Sequence, residues 1–128
     1  MNLLLDTQTF LWYVMGDPRL SQRMRSYIEN PSNPYLISIA SLWELAIKDG
    51  LGKLRLDVSF QELIEQYVTG TGLTILPVSI AHLLELRKLP NHHRDPFDRI
   101  IIAQSIVENL TVVTTDSHFD KYPIQIAR

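Results

Sequence analysis

Four acidic residues stand where oxygen-donor chemistry could be assembled. Asp6 closes the apolar run LLLD, and Asp116 closes TVVTTD. Glu44 lies in SLWELAIKDG, and Asp98 in HRDPFDRIIIAQS. Each has an ordinary explanation when taken singly. An aspartate after a strand is usually a turn or a helix cap. A glutamate on a helix is usually solvated, although Leu42, Trp43, Leu45, Ala46 and Ile47 leave few polar positions around Glu44. An aspartate in a first helical turn gains about 0.3–1 kcal/mol from the helix dipole. Taken together, the four call for one explanation. Two carboxylates ~4 Å apart repel by about 4 kcal/mol at an effective dielectric near 20. Four acids with no lysine interleaved would either raise their pKa values or hold a divalent cation. Hard oxygen ligands without cysteine or paired histidine favour Mg²⁺, or Mn²⁺, over zinc. Such an ion neutralises phosphate charge and acidifies water, which is the chemistry of phosphodiester hydrolysis.

The segment that holds Asp98 contains a second aspartate three residues earlier. Pro96 suits a first helical position, so Asp95 is expected as the N-cap and Asp98 as the third helical residue. Capping accounts for Asp95 and leaves Asp98 free for the site.

The elements that must position these residues follow from the pattern of short apolar runs alternating with helical segments. That pattern indicates an α/β fold with a central, largely parallel sheet of four to five strands flanked by helices. Strands are expected at 2–6, 35–38, 73–78 and 111–116, with a short edge strand at 124–127. Helices are expected over TQTFLWYVM up to Gly16, over 21–30 before Pro31, through SLWELAIKDG to Gly50, and over 59–69. Two more follow: IAHLLELRKL, capped by Ser79, and the Asp95 helix, which runs to about Asn109. In open α/β sheets ligands bind beyond the carboxyl ends of the strands. Asp6 and Asp116 therefore share a rim, and Glu44 can look back over it. Whether Asp98 reaches it depends on the crossover.

Composition sets the limits. The chain has 128 residues, consistent with one domain over 1–128; it is 45% hydrophobic and 20% charged. The net charge of -2 means that any contact with nucleic acid must come from a local basic patch. Disulfides and thiolate metal sites are excluded, because there is no cysteine. That fits a reducing cytoplasm. The start MNLLLDTQTFLWYVM carries Asp6 within its apolar run and no basic leader, so no signal peptide is expected. No apolar stretch approaches the ~20 residues needed to span a bilayer.

LLDT, ISIASLWELAIKDGLGKL, HRDPFDRIIIAQS and VVTTDSHF resemble the PIN-domain nucleases. Within that family the resemblance is to VapC-type toxins of type II toxin–antitoxin pairs, and it runs from about Asn2 to Ile126. It implies a Mg²⁺-dependent endoribonuclease, a small antitoxin protein as partner, and a homodimer. The acidic positions of the family fall on Asp6, Glu44, Asp98 and Asp116, the four chosen by the rim argument. Asp95 is not a metal ligand by this match. Ser105 stands where relatives often carry alanine, a small departure that leaves the site intact.

Other residues carry weaker signals. Thr7, Ser41, Thr114 and Thr115 flank the acids and could orient a carboxylate or a water, Thr114 foremost. His92 and His93 are expected in a polar loop, and His82 and His118 as surface or boundary residues. GLGKL lacks the spacing and the hydroxyl of a phosphate loop, and fits a helix C-cap followed by a turn. Lys48, Lys53 and Arg55 form one cationic cluster that could meet RNA phosphates. Arg87, Lys88, His93, Arg94 and Arg99 form another. Phe10, Trp12, Tyr13 and Trp43 are expected mostly in the core, with one or two free for a dimer or antitoxin groove.

Three rival functions fit the sequence less well. A phosphatase using Asp6 as nucleophile needs a second aspartate where Gln8 stands. A receiver domain needs paired early acids and a late lysine. A catalytically silent PIN-like interaction module would usually lose one or more of the four acids, and all four are present.

Overall fold

The computed structural model describes all residues, 1–128. Five strands, β1 (Leu3–Leu5), β2 (Tyr35–Ser38), β3 (Thr74–Leu76), β4 (Thr111–Val113) and β5 (Gln125–Ala127), form one sheet in the order β3-β2-β1-β4-β5. Every pairing is parallel. Six helices flank it: α1 (Thr7–Met15), α2 (Gln22–Glu29), α3 (Ile39–Gly50), α4 (Phe60–Ile64), α5 (Ile80–Lys88) and α6 (Pro96–Glu108).

The sheet is a three-layer sandwich filling because its strands alternate. Leu3 and Leu5 enter a cluster with Phe10, Met24, Ile37, Leu45 and Leu63. Leu4 enters the other, with Ile101, Ile102, Val112 and Phe119. A strand with both faces covered has no polar face, which is why LLL reads as a continuous apolar run.

Several helix ends are written in the sequence. Asp95 accepts from the backbone N–H groups of Phe97 at 2.9 Å and Asp98 at 3.2 Å, with Pro96 opening the helix as expected. Ser79 caps α5, and Gly16 ends α1 in the left-handed region at φ 63°. The expected helix over 59–69 splits: α4 gives way to a π-helical turn, Glu65–Thr69. Gly70 closes that turn by donating to the Glu65 carbonyl at 2.8 Å, where an added Cβ would collide with the same oxygen. The strand at 35–38 is as expected, and the other expected strands were too long. β4 stops at Val113, so Asp116 sits in the loop beyond it and caps a 3-10 turn, Ser117–Lys121.

No helix is long and apolar enough to cross a membrane.

Candidate active site

β1 is the point where the chain changes direction of build-up. From it the sheet grows through β2 and β3 on one side, then resumes at β4 and β5 on the other. Loops leaving the carboxyl ends of two such neighbours part from one another, which opens a crevice there. A cavity of about 460 Å³ occupies that place, and Asp6, Glu44, Asp98 and Asp116 all line it, with Asp95, Lys48 and Lys53. The crossover decides the case of Asp98. α6 packs on the sheet before entering β4, so its first turn lies at the carboxyl-end rim and presents Asp98 to the cavity.

Local structure fixes each carboxylate differently. Asp6 follows β1 immediately and is the N-cap of α1. Its Oδ1 accepts from the Thr9 N–H at 2.7 Å and its Oδ2 from the Thr114 hydroxyl. Thr114 Oγ1 also accepts from the Asp116 N–H at 3.0 Å, so one threonine ties the ends of β1 and β4 together. Glu44 is buried in the second turn of α3. Its Oε2 meets Lys48 Nζ at 2.9 Å, one helical turn on, while its Oε1 is buried with no hydrogen-bond partner. Asp98 Oδ2 meets His93 Nε2 at 2.7 Å. Asp116 Oδ1 accepts from the His118 N–H at 2.9 Å and faces His118 Nδ1 at 2.8 Å. Glu44, Asp98 and Asp116 therefore each have one oxygen held by the protein and one that is not.

The electrostatics follow from these partners. Burial pushes the Asp6 carboxyl up, against the pull of hydrogen bonds from Thr114 and Thr9. Burial likewise pushes Asp98 up to about 6, with His93 opposing and Asp95 and Asp6 adding to the rise. At Asp116 burial also raises the value, but the hydrogen bonds from His118 outweigh it and hold the carboxyl below the usual range.

Two expectations need correction. The acids were expected to have no lysine among them, yet Lys48 lines the cavity and pairs with Glu44, because four residues along a helix share a face. His118 and His82 are expected at the surface or boundary. His118 is exposed, as expected, and pairs with Asp116, whereas His82 is buried, 1% exposed, and bonded to Ser79 and Glu108. Of the four aromatics, one or two of which are expected to stay free, Trp43 is 63% exposed, edge-on to Phe97. Phe10 is buried as expected, with Trp12 and Tyr13 half-buried.

His93 lies in a loop, as expected, but its side chain turns inward to Asp98. The signal available was its place five residues before Asp98, on a loop that turns back over the first turn of α6. Of the two cationic clusters, Lys48 and Lys53 line the cavity. Arg55, Arg87, Lys88 and Arg94 are exposed and lie outside the lining. Arg99 spends its guanidinium on the loop: it donates to the carbonyls of Pro90, His93 and Leu89 and to the Tyr122 hydroxyl. Thr7 is likewise occupied, donating to Ser41 at 2.8 Å, while Thr115 lines the cavity. GLGKL ends α3 and turns at Gly52, φ 68°, as expected.

A sequence model of the PIN domain matches residues 3–125. The chain belongs to the PIN-domain family. Its fold is shared by several solved structures. DNA-bound VapBC from Salmonella typhimurium is 21% identical, with a TM-score of 0.74, covering 99% of this chain and 97% of that one. VapBC2 from Rickettsia felis, bound to a fragment of its promoter DNA, is 19% identical at a TM-score of 0.73, covering 99% and 98%. A toxin–antitoxin complex from Klebsiella pneumoniae is 15% identical at 0.66, covering 99% and 97%. Among curated proteins, none matches this PIN domain.

Proposed function

We propose that this PIN domain is a Mg²⁺-dependent endoribonuclease toxin, with Mn²⁺ as an alternative ion, acting in the cytoplasm as a single domain over 1–128. The observation that carries the reading is the convergence of Asp6, Glu44, Asp98 and Asp116, from four distant segments, on one cavity of a PIN-domain fold. The donor set fits a hard divalent cation. Its oxygens are carboxylates, the buried Glu44 Oε1 has no partner, and Asp98 is raised chiefly by burial, with the charges of Asp95 and Asp6 adding to the rise. Glu44, Asp98 and Asp116 would hold the ion through their free oxygens, with Asp6 closing the set. Bound there, Mg²⁺ would supply charge neutralisation at a phosphodiester and acidification of a water. Lys48 and Lys53, on the same cavity wall, counter the repulsion between an acidic site and a polyanion. The phosphatase alternative lacks support because Gln8 stands where that chemistry needs a second aspartate as general acid.

RNA incubated with the purified protein should be cut in Mg²⁺ or Mn²⁺ and left intact in EDTA. Cutting that persists in EDTA, or no cutting of varied single-stranded and structured RNAs with metal present, would overturn the assignment.

The named partners of the structural neighbours support a second element, a small cognate antitoxin. The chain is also proposed to pair with a second copy through the apolar groove lined by Ile39, Trp43, Val78, Leu83 and Phe97, of which the first four are exposed. Light scattering should give twice the chain mass, and Trp43→Glu should halve it. Co-expression with the product of a neighbouring short reading frame should yield a co-purifying complex and relieve growth arrest. A monomeric parent protein, or a neighbour that neither binds nor protects, would remove the respective partner.

A further inference from the structure

We propose a second cation site beside the acidic centre, formed by His93, Asp116 and His118 and suited to a borderline divalent ion such as Zn²⁺ or Co²⁺. One donor atom from each residue lies within 4.8 Å of the others. The donor set differs in kind from that of the cavity. Two imidazoles with one carboxylate suit zinc and its neighbours, whereas Mg²⁺ prefers oxygen alone. Three protein donors leave a position for water, as open tetrahedral sites do.

The backbones that carry the two histidines are held in place by the surrounding structure. The His93 backbone N–H donates to the Tyr122 hydroxyl at 2.9 Å, and Tyr122 in turn donates to the Pro90 carbonyl at 3.0 Å. The His93 ring meets the buried Phe119 edge-on at 6.5 Å. It lies nearly parallel to the His118 ring, 4.6 Å away and inclined by 11°. His118 is fixed at its backbone by Asp116 Oδ1, the same oxygen that its Nδ1 faces. A cation entering here would replace the hydrogen shared between His118 and Asp116. It would also draw the His93 ring from Asp98 by turning it about bonds that are free to rotate.

The site has a regulatory consequence, and that consequence alone rests on the proposed nuclease function. Asp116 cannot serve both ions through the same oxygens, and Asp98 loses the partner that orients it. Zn²⁺ should therefore suppress Mg²⁺-dependent cleavage.

Binding is tested without reference to activity. Co²⁺ titrated into metal-stripped protein should give visible absorption bands of an imidazole-containing site, which Zn²⁺ then abolishes by displacement. Zn²⁺ should move the ring resonances of His93 and His118 in NMR spectra and leave those of His82 in place. His93→Gln and His118→Gln should each weaken Co²⁺ at least about tenfold, the scale on which even outer partners alter metal affinity. His92→Gln, on the exposed neighbour, should leave it unchanged, as should Asp6→Asn. His118 is exposed, so its replacement does not endanger folding, and a thermal melt verifies this for His93→Gln. Equal Co²⁺ affinity in the parent and both histidine variants would overturn the site. So would an equal loss in Asp6→Asn, which would place the ion among the carboxylates instead. A protein that binds Co²⁺ as described but cuts no RNA would refute the nuclease reading and leave the cation site standing.

Discussion

Asp98→Asn is expected to abolish Mg²⁺-dependent RNA cleavage while leaving the metal-free protein as stable as the parent, or more so. The reason is that Asp98 is a costly residue without its ion. Its carboxyl is raised to about 6, chiefly by burial, from an ordinary 3.8. A carboxyl raised in the folded state binds its proton more tightly there than in the unfolded chain, so stability falls as pH rises between those two values. The fall is at most about 3 kcal/mol, less after solvent screening. Asp6, raised in the same direction, adds to it. Asp116 is held low and works the other way: its contribution is present above its unfolded value and is lost as the pH falls through its folded value. Melts in EDTA from pH 4 to 7 should therefore decline for the parent and decline less for Asp98→Asn. Mg²⁺ should raise the parent's Tm at pH 7 and raise the variant's much less, since an amide is a poor ligand for a hard cation.

Asp95→Ala supplies the contrast. It removes two N–H acceptors from the first turn of α6, so it should cost roughly 0.5–2 kcal/mol while much of the cleavage survives. Asp95 lines the same cavity, which makes the comparison a sharp one. If Asp98→Asn cuts at the parental rate while Asp95→Asn is inactive, the two roles are reversed.

Arg99→Ala is expected to destabilise the protein by about 1.5–3 kcal/mol, the usual worth of hydrogen bonds from a charged donor inside a folded chain. Its guanidinium joins three loop carbonyls and the Tyr122 hydroxyl, so truncation takes the side-chain donor from the His93 and Leu89 carbonyls and leaves Pro90 and Tyr122 with one partner fewer. The loop it gathers carries His93 and Asp95, and cleavage should fall with it. Arg99→Lys should rescue little, because a single ammonium cannot span acceptors on both sides of the planar fork. The competing view, that Arg99 binds RNA phosphate, predicts unchanged melts and a weaker salt dependence of RNA binding. Denaturant titration paired with RNA binding at two salt concentrations separates the two views, and unaltered stability would refute the structural one.

What the sequence determined by itself was the set of features governed by neighbours along the chain. Buried parallel strands must be apolar on both faces, so LLL, YLIS and TVV announced themselves, and the alternation with helices gave the parallel sheet. Asp95-Pro96, Ser79 and Gly16 fixed helix ends because caps act over three or four residues. Asp6 and Asp116 were legible because carboxylates that close strands of one parallel sheet must share its rim. The family resemblance then selected the same four acids. Tertiary structure decided which groups meet across long separations and around loops. Lys48 could be paired with Glu44 from helical spacing alone, but that both face the cavity depends on how α3 packs. The His93–Asp98 bond needs the loop before α6 to fold back, and the His93–His118 stack joins residues 25 positions apart through the placement of the Ser117–Lys121 turn. That Trp43 is the aromatic left free was decided by packing, because an apolar helix face carries no mark of whether another element covers it. A local pattern encodes local geometry and burial on average; it does not encode the partner, because the free energy of a long-range contact belongs to the packed arrangement of several elements at once.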